Sequence, residues 1–351
     1  MPSAATWPAT LTIRRPDDWH VHLRDGPMLA AVAGHTARQF ARAVIMPNLV
    51  PPVTRVAEAV AYRERIRRAV GPAHNFEPLM TCYLTDGADP AELVRGKREA
   101  AWVAAKLYPA HATTNSAHGV TSMDKVARGL EAMEKEGMPL LVHGEVTDAE
   151  IDIFDREAVF LERVLTPLLK RHQGLKVVLE HITTREGVAF VEANDARVGG
   201  TITPHHLSYN RNAIFKGGIR PHLYCLPIAK SEEHRLALRR AATSGNAKFF
   251  LGTDTAPHTL DTKECACGCA GIFNAPVALQ VYAQVFAEDN ALDRLEAFAS
   301  LNGPRFYGLP PNEERVTLKA TPLQVPDVVE VPGSDKSVVI FQPDNPVGWS
   351  F

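Results

Sequence analysis

Short apolar runs rich in β-branched residues recur along the chain, and most of them precede a stretch with helical periodicity. This alternation predicts strands joined by helices, which is the pattern of a parallel sheet. The predicted strands are residues 11–13 running into 20–23, then 43–46, 79–84, 102–106, 140–143, 177–181, 200–203 and 249–252. The predicted helices are residues 54–70, 122–136, 156–171, 184–193, 232–244 and 276–288. Thr121 with Asp124 and Thr183 with Glu186 have the spacing of a capping box at two helix starts.

Eight strand–helix units in one chain favour an α/β fold of the (β/α)8 TIM-type barrel, although an open doubly wound sheet would give a similar pattern. Polar residues at the ends of the apolar runs favour the barrel, because barrel enzymes build their sites at the carboxyl ends of the strands. These residues are His22, Asn48, Lys106, His143, His181 and Asp254. Beyond about residue 313 the pattern weakens into Pro-rich segments. We therefore expect a single barrel domain over residues 1–351, with 312–351 as a C-terminal extension packed on it.

Composition and charge narrow the class of protein. The 351 residues are 45% hydrophobic and 22% charged, which is ordinary for a globular chain. A formal net charge of −2, with scattered Lys and Arg residues, provides no basic surface for nucleic acid. The sequence contains neither a membrane-spanning apolar stretch nor a signal-peptide pattern, and its five cysteines do not suggest a disulfide framework. We expect a cytoplasmic protein that binds neither nucleic acid nor membrane.

His20 and His22 are the first candidates for chemistry. Side chains two positions apart on a strand point to the same face, so both imidazoles could hold one metal ion. His143 and His181 each end a later apolar run, and Asp254 follows the last one. Four imidazoles and a carboxylate at one rim provide enough ligands for an ion such as zinc. The alternative interpretation is a set of hydrogen-bonded core histidines.

Lys106 is predicted at the same rim, where a bare ammonium would be repelled by divalent cations. Reaction of its amine with CO2 would give a carbamate, an anion that could bridge two metal ions. The alternative is an ordinary lysine whose ammonium reaches solvent.

Six blocks of sequence carry a family resemblance. They are Asp18-Trp19-His20-Val21-His22-Leu23-Arg24-Asp25-Gly26, Met46-Pro47-Asn48, Ala105-Lys106-Leu107-Tyr108-Pro109, Leu141-Val142-His143-Gly144-Glu145, Glu180-His181-Ile182-Thr183 and Gly252-Thr253-Asp254-Thr255-Ala256-Pro257-His258. In this order they closely resemble the dihydroorotases, of the shorter bacterial type within the amidohydrolase superfamily. The resemblance covers roughly residues 11–309, and nothing is carried over to the tail beyond Pro311.

The resemblance implies an activity and a metal centre. The activity is the reversible hydrolysis of the cyclic amide of L-dihydroorotate to N-carbamoyl-L-aspartate, in de novo pyrimidine biosynthesis. The centre would contain two Zn²⁺ per subunit, bridged by N6-carboxylated Lys106 and by a hydroxide. One ion would be held by His20, His22, Lys106 and Asp254, and the other by Lys106, His143 and His181. Asp254 would also be the general acid and base, and the resemblance suggests a homodimer.

Arg24 is the candidate for binding the substrate carboxylate. It lies two residues beyond His22, on the same face of an extended segment, and its guanidinium can make a planar two-bond contact. An exposed arginine without a ligand is the alternative. The resemblance implies that Arg24, Asn48 and His258 bind the carboxylate together.

Two further groups are assigned by resemblance. Backbone atoms near Leu226 and Ala270 would bind the edge of the pyrimidine ring. Residues 109–119 are small and rich in hydroxyls, as a mobile lid would be, and Thr113 and Thr114 match the family threonines that close on the substrate. A plain surface connection is the alternative for this loop.

Two clusters resemble metal sites without matching one. Cys265, Cys267 and Cys269 are spaced more closely than the cysteine pairs of structural zinc sites, so we expect them to pack around the substrate pocket. His205 and His206 follow the seventh predicted strand, where neighbouring side chains face opposite ways. We exclude both histidines as ligands.

Two other functions remain open at this point. A hydantoinase or dihydropyrimidinase would keep the metal ligands but would have less use for Arg24 and Asn48. A non-catalytic scaffold protein of the same fold would be expected to lose ligands, and the sequence retains all of them. The identity of the native metal is also open, because His and carboxylate ligands accept cobalt or manganese as well as zinc.

Overall fold

A computed structural model describes residues 7–351, and it is organised around eight parallel strands that follow one another in chain order. The strands are β1 Thr10–Arg14, β2 Asp17–Val21, β3 Arg42–Ile45, β4 Glu77–Leu84, β5 Ala104–Leu107, β6 Leu140–Val142, β7 Val177–Leu179, β8 Val198–Ile202, β9 Phe249–Leu251, β10 Arg315–Lys319, β11 Val328–Glu330 and β12 Ser337–Val339. Strands β2 to β9 form the sheet, and a backbone bridge between Val21 and Thr255 joins its two ends. The predicted (β/α)8 barrel is confirmed.

Helices connect the barrel strands and surround the sheet. They are α1 Gly26–Gln39, α2 Val56–Val70, α3 Pro90–Arg98, α4 Met123–Lys135, α5 Arg156–Phe160, α6 Thr166–Arg171, α7 Arg185–Ala193, α8 Pro204–Ser208, α9 Glu232–Thr243, α10 Leu260–Lys263, α11 Ala278–Glu288, α12 Leu292–Glu296 and α13 Asn302–Tyr307. A π-helical turn, Leu161–Leu165, joins α5 to α6, so the predicted helix over residues 156–171 is continuous. Among the described residues, no helix is both long enough and apolar enough to cross a bilayer.

The two predicted capping boxes were each displaced by one residue. Ser122, and not Thr121, accepts the hydrogen bond that caps α4, and Thr184, and not Thr183, caps α7. Thr183 instead donates its hydroxyl and its backbone N–H to the buried carboxylate of Glu157. A tertiary partner thus takes the hydroxyl that the local spacing had assigned to the cap.

The first predicted strand was also wrong in part. Residues 11–13 do not run into the barrel but form β1, which pairs antiparallel with β10 from the far end of the chain. Arg15 and Pro16 separate β1 from β2, because the buried Arg15 guanidinium donates to the carbonyl of Phe40 and the proline has no N–H to give.

A β-bulge in β2 brings two consecutive side chains to the inside of the barrel. Asp18 is paired with Ala43 and Val21 with Ile45, so three steps on β2 match two on β3. Trp19 packs in the interior apolar cluster, while His20, the next residue, reaches the histidines at the carboxyl end. The bulge therefore lets one strand supply both the floor of the barrel and its site.

The floor beneath the site is filled by aromatic residues. Trp19 stacks on Tyr307 at a centroid distance of 4.3 Å and contacts Phe250 edge-on at 6.2 Å. Gly303 makes this packing possible, because a Cβ there would lie 1.9 Å from Nε1 of Trp19. The barrel interior is thus a packed core below the polar rim.

Residues beyond 312 pack against the barrel. Strand β10 pairs with β1, and β11 with β12 forms a two-stranded ribbon. Leu318, Val338 and Trp349 are buried in the same apolar core as the barrel helices. The backbone N–H of Phe341 donates to the carbonyl of Phe273, at 2.8 Å.

Candidate active site

Three of the predicted ligands meet where β2 and β9 end. Nε2 of His20 lies 3.3 Å from Nε2 of His22 and 3.3 Å from Oδ1 of Asp254, and the last two atoms are 3.2 Å apart. All three side chains are buried. Ligand atoms bound at about 2.0 Å to a tetrahedral ion are about 3.3 Å from one another, so this triangle has the size of one metal site.

The other nitrogen of each histidine is held by a neighbouring side chain. Nδ1 of His20 lies 2.7 Å from Oε2 of Glu180, and Nδ1 of His22 lies 2.8 Å from Oδ1 of Asn48. Since these oxygens accept, Nδ1 carries the proton and Nε2 keeps a lone pair for a metal. Burial lowers the pKa of His22 to about 3, which keeps this imidazole neutral.

Glu180 contacts the histidine cluster and was not among the predicted site residues. Its Oε2 accepts from His20 and also from the hydroxyl of Thr201, at 2.8 Å, and that hydroxyl accepts from the backbone N–H of His181. A signal was available, because Glu180 lies two residues beyond Val178, whose side chain packs in the interior cluster. Alternation along the strand therefore predicts an inward-facing carboxylate.

His143 and His181 continue the histidine cluster around the rim. The ring centroid of His181 lies 5.0 Å from that of His20 and 4.9 Å from that of His143. Nε2 of His143 is 2.9 Å from Oε2 of Glu145, which leaves its Nδ1 as the nitrogen for a ligand. Within residues 7–351, Nδ1 of the buried His181 has no hydrogen-bond partner. Burial holds the pKa of His181 well below its usual value, so this ring is neutral too.

Lys106 lies in β5 with its side chain fully buried. In the described part of the chain, its Nζ has no hydrogen-bond partner, and it lies 5.0 Å from the ring centroid of Tyr108. Burial lowers the pKa of this amine to about 8. A buried ammonium without a partner is costly.

Three site residues have left-handed backbone conformations that residues other than glycine rarely adopt. The φ angles are +57° at Arg24, +41° at His181 and +45° at Asp254. Each of these residues follows the end of a barrel strand, where the chain turns away from the sheet. Such strain is typical of functional positions, because the surrounding structure must hold the conformation.

Arg24 and His258 form a pair at the edge of the cavity. The guanidinium donates from Nε to the carbonyl of Pro257 at 3.1 Å and from Nη2 to Nε2 of His258 at 3.0 Å. Burial, with the positive charge of Arg24, lowers the pKa of His258 to about 2, so its Nε2 is free to accept. Nη1 of Arg24 is buried without a partner among the described residues. Arg24 therefore has a positively charged N–H group that is available to an anionic ligand.

The loop over residues 109–119 covers the cavity. The amide of Asn48 donates to the carbonyl of Thr114 at 3.1 Å, and the hydroxyl of Thr114 donates to the carbonyl of Ala270 at 3.2 Å. The amide of Asn115 donates back to the carbonyl of Asn48 at 3.0 Å. The loop is thus fastened to the segments that follow β3 and β9.

The cavity has a free volume of about 20 Å³ with the loop over residues 109–119 in this position, which is room for about one water molecule. The predicted site residues that line it are His20, His22, Arg24, Asn48, Thr113, Thr114, His143, His181, Leu226, Asp254 and Ala270. The predicted residues Lys106 and His258 are not part of this lining, and Tyr108, Ala256 and Gly271 line the cavity without having been predicted. A larger cleft of about 570 Å³ near Val325 and Phe341 has no comparable group of metal ligands in its lining. The residues that line the cavity, and not its volume, therefore identify the candidate site.

His205 and His206 were excluded as metal ligands, and the structure shows their positions and contacts. His205 and His206 lie in helix α8 and not at the end of a strand, and both are buried. Together with Cys225 they could offer three ligand atoms, but both nitrogens of His206 are engaged, by Thr203 and by the carbonyl of Pro227.

The three clustered cysteines lie in a loop beside the cavity wall. Cys265 and Cys267 are exposed, and Cys269 is partly buried. Among the described residues, these thiols do not form a compact group of metal ligands.

Comparisons with known proteins define first the class and then the family. The model of the amidohydrolase family matches residues 16–318. A barrel with this group of polar residues at its rim belongs to that class. A dihydroorotase of Erwinia tasmaniensis is 61% identical over 342 residues, covering 97% of this chain and 98% of that protein. The dihydroorotase structure of Campylobacter jejuni superposes with a TM-score of 0.88 at 36% identity, over 99% of each chain. That of Saccharomyces cerevisiae, in complex with 5-fluoroorotic acid, gives 0.89 at 31% identity over 97% and 98%.

The chain therefore belongs to the dihydroorotase family. It is a metal-dependent hydrolase of a cyclic amide, and it acts on dihydroorotate in pyrimidine biosynthesis. The predicted resemblance is thereby confirmed, and the hydantoinase and scaffold alternatives are set aside.

Proposed function

We propose that the rim cavity is the dihydroorotase active site and that the residues named above carry the reaction. The observation that carries this proposal is the triangle of His20, His22 and Asp254 beside the unpartnered amine of Lys106 and the unpartnered guanidinium nitrogen of Arg24. These groups provide a metal site and a carboxylate site within one small cavity.

Two zinc ions per subunit fit the donor set. His20, His22, carboxylated Lys106 and Asp254 would hold one ion, and Lys106, His143 and His181 would hold the other. The fit rests on imidazoles whose second nitrogens are held by Glu180, Asn48 and Glu145. Bound divalent ions supply Lewis acidity, which makes water a stronger acid and polarises a carbonyl.

Carboxylation of Lys106 explains how a lysine can serve as a ligand. The ammonium first loses a proton, and the free amine Nζ then attacks the carbon of CO2. An N–C bond forms as one C=O bond of CO2 becomes C–O⁻, and the nitrogen loses a second proton, which leaves a carbamate anion. This step replaces a buried cation without a partner by an anion with two oxygen donors. The full burial of the Lys106 side chain protects the product from bulk water.

Asp254 is the residue that moves the proton. Burial alone would raise the pKa of its carboxyl, but His20 and His22 outweigh burial and hold the pKa well below its usual value. The ionised carboxylate can therefore take a proton from the attacking water. It then passes that proton to the departing ring nitrogen, and in the biosynthetic direction it works in reverse.

Substrate binding divides between two walls and a lid. Arg24, Asn48 and His258 bind the carboxylate of dihydroorotate or N-carbamoyl-L-aspartate through charge-assisted hydrogen bonds. Backbone groups of Leu226 and Ala270 bind the ring edge. Thr113 and Thr114 close over the substrate, in a loop that already contacts Asn48 and Ala270.

The proposed organisation is one catalytic domain over residues 1–351, with 312–351 as its extension, acting as a homodimer in the cytoplasm. The substrate is a small molecule, and neither nucleic acid nor membrane takes part. Sedimentation analysis of the purified protein tests the homodimer.

A labelling experiment tests the metal centre. Protein loaded with zinc in the presence of ¹³C-bicarbonate is expected to bind two zinc ions per chain and to show a carbamate carbon signal. Lys106→Ala is expected to lose that signal and at least one zinc ion. A free amine with one ion in the wild-type protein would replace the two-metal proposal by a single-ion site.

A further inference from the structure

Lys263 is a buried lysine that none of the assignments above uses. It is the last residue of α10, and only 3% of its surface is exposed. Its Nζ donates to the backbone carbonyls of Tyr224, Cys269 and Gly271, each at 2.8 Å. All the hydrogen bonds that the described residues offer this ammonium are therefore to main-chain oxygens.

These carbonyls belong to the two segments that form one wall of the cavity. Tyr224 leads directly to Leu226, and Cys269 and Gly271 flank Ala270. A direct hydrogen bond from the N–H of Gly271 to the carbonyl of Tyr224, at 3.1 Å, also joins the two segments. The ammonium lies at the junction of the two stretches of backbone that face the substrate.

The bond to Cys269 determines the direction of a particular N–H group. In a planar trans peptide, the carbonyl of Cys269 and the N–H of Ala270 point in opposite directions. Fixing that carbonyl on Lys263 therefore turns the N–H of Ala270 away from the lysine. Ala270 lines the cavity, and its N–H has no hydrogen-bond partner among the described residues.

The charge and shape of an ammonium suit this position. Three carbonyl oxygens that converge on one point repel one another, and a group with three N–H donors and a positive charge satisfies all three. Burial lowers the pKa of Lys263 to about 8, so the protonated form is present at pH 7. Removal of the ammonium would leave the carbonyls of Cys269 and Gly271 without this donor, while the carbonyl of Tyr224 would keep only the N–H of Gly271.

We propose that Lys263 is a positioning residue for substrate specificity: it fixes the Tyr224–Leu226 and Cys269–Gly271 backbone so that the N–H of Ala270 meets the ring edge of the substrate. This inference rests on the proposed function of Leu226 and Ala270. Lys263 itself touches neither the substrate cavity nor the metal ligands, so its effect is on binding of the ring and not on proton transfer.

The test compares Lys263→Met with Lys248→Met. Methionine keeps an unbranched side chain and removes the donors. Lys248 is a matched control, because its Nζ donates to the carbonyls of Glu192 and Asn194, each at 2.8 Å, just before β9 begins and far from the rim. For Lys263→Met we expect KM for dihydroorotate to rise at least tenfold while kcat changes less than threefold and zinc content is unchanged. For Lys248→Met we expect no change in KM.

An unchanged KM in Lys263→Met, or an equal rise in Lys248→Met, would overturn the proposal. If Lys263→Met does not fold, Lys263→Gln, which keeps two donors, is measured instead. A KM raised at least threefold then supports positioning, and an unchanged KM overturns it.

A third variant separates this inference from the function on which it rests. Ala270→Pro removes the N–H and leaves the Lys263 side chain unchanged. If it leaves KM unchanged, the role of Ala270 at the ring edge is wrong, and the inference about Lys263 is wrong with it. If Ala270→Pro raises KM while Lys263→Met does not, the ring-edge role stands and the positioning by Lys263 is wrong.

Discussion

Glu180 and His20 lie 160 residues apart in sequence, yet Oε2 of the carboxylate is 2.7 Å from Nδ1 of the ring. The carboxylate is next to His181 in the chain but supports a histidine on β2, three strands away around the barrel. Through Thr201 it also holds the backbone of His181. One carboxylate thus links ligands that we assign to the two different metal ions.

The first prediction concerns this link. In Glu180→Gln the charge that fixes the proton on Nδ1 of His20 is lost, so we expect the affinity for zinc to fall by roughly 10- to 100-fold. Competition with a chelator, followed by metal analysis, measures this affinity. Glu186→Gln is the control, because Glu186 is nearby in sequence but lies at the surface of α7. Equal zinc affinity in the two variants would show that the link does not support the metal site.

Much of this centre could be predicted, because local sequence patterns determine where several of its residues lie. His143 and His181 end apolar runs, and a run ends where a barrel strand ends, so their place at the rim followed from the sequence. The bulge that brings both Trp19 and His20 to the inside of the barrel could not be predicted, because it depends on pairing with β3. The carbonyls around Lys263 come together through tertiary contacts that no local spacing records.

The pairing of β1 with β10 could not be predicted from local sequence either. Residues 11–13 alternate in burial, as one side of a two-stranded ribbon does, and the partner β10 lies about 300 residues away. A single-sequence pattern gives the strand but not its partner. The predicted continuation into the barrel failed for that reason.

The second prediction concerns proton transfer by Asp254. In Asp254→Asn the side chain keeps its shape but cannot carry the proton, so we expect kcat to fall by roughly 10²- to 10⁴-fold. KM for dihydroorotate is expected to change much less, because the carboxylate of the substrate is bound elsewhere. Zinc content is measured in parallel, since Asn is also a weaker ligand. Near-normal kcat at full zinc content would remove Asp254 from the proton path.

The third prediction concerns the pH dependence of stability. Asp86 accepts from the N–H and the hydroxyl of Thr121 and from Lys125, and these bonds outweigh burial and lower its pKa to about 2. A carboxyl with a lowered folded-state pKa stabilises the fold above its unfolded pKa, and the stabilisation is lost as pH falls towards 2. We expect Asp86→Asn to reduce the free energy of unfolding at pH 7 by about 1 kcal/mol, after allowance for solvent screening.

Denaturant titrations at pH 7 and pH 3 check that prediction. The difference between wild type and Asp86→Asn is expected to fall to about half at pH 3, because the wild-type carboxylate is then losing its advantage. Asp124→Asn serves as the control, since 89% of that side chain is exposed and its pair with Arg171 should contribute little. A difference that grows as pH falls would have the wrong sign for this explanation.

The fourth prediction concerns the carboxylate site. In Arg24→Lys the charge remains but the planar two-bond contact is lost, as is the donor to His258. We expect KM for dihydroorotate to rise by roughly 30-fold, the equivalent of about 2 kcal/mol for one charge-assisted hydrogen bond. Turnover of dihydrouracil, which has the ring without the carboxylate, should be low in both proteins and nearly equal between them. A comparable loss towards both compounds would mean that Arg24 supports the cavity wall and does not recognise the carboxylate.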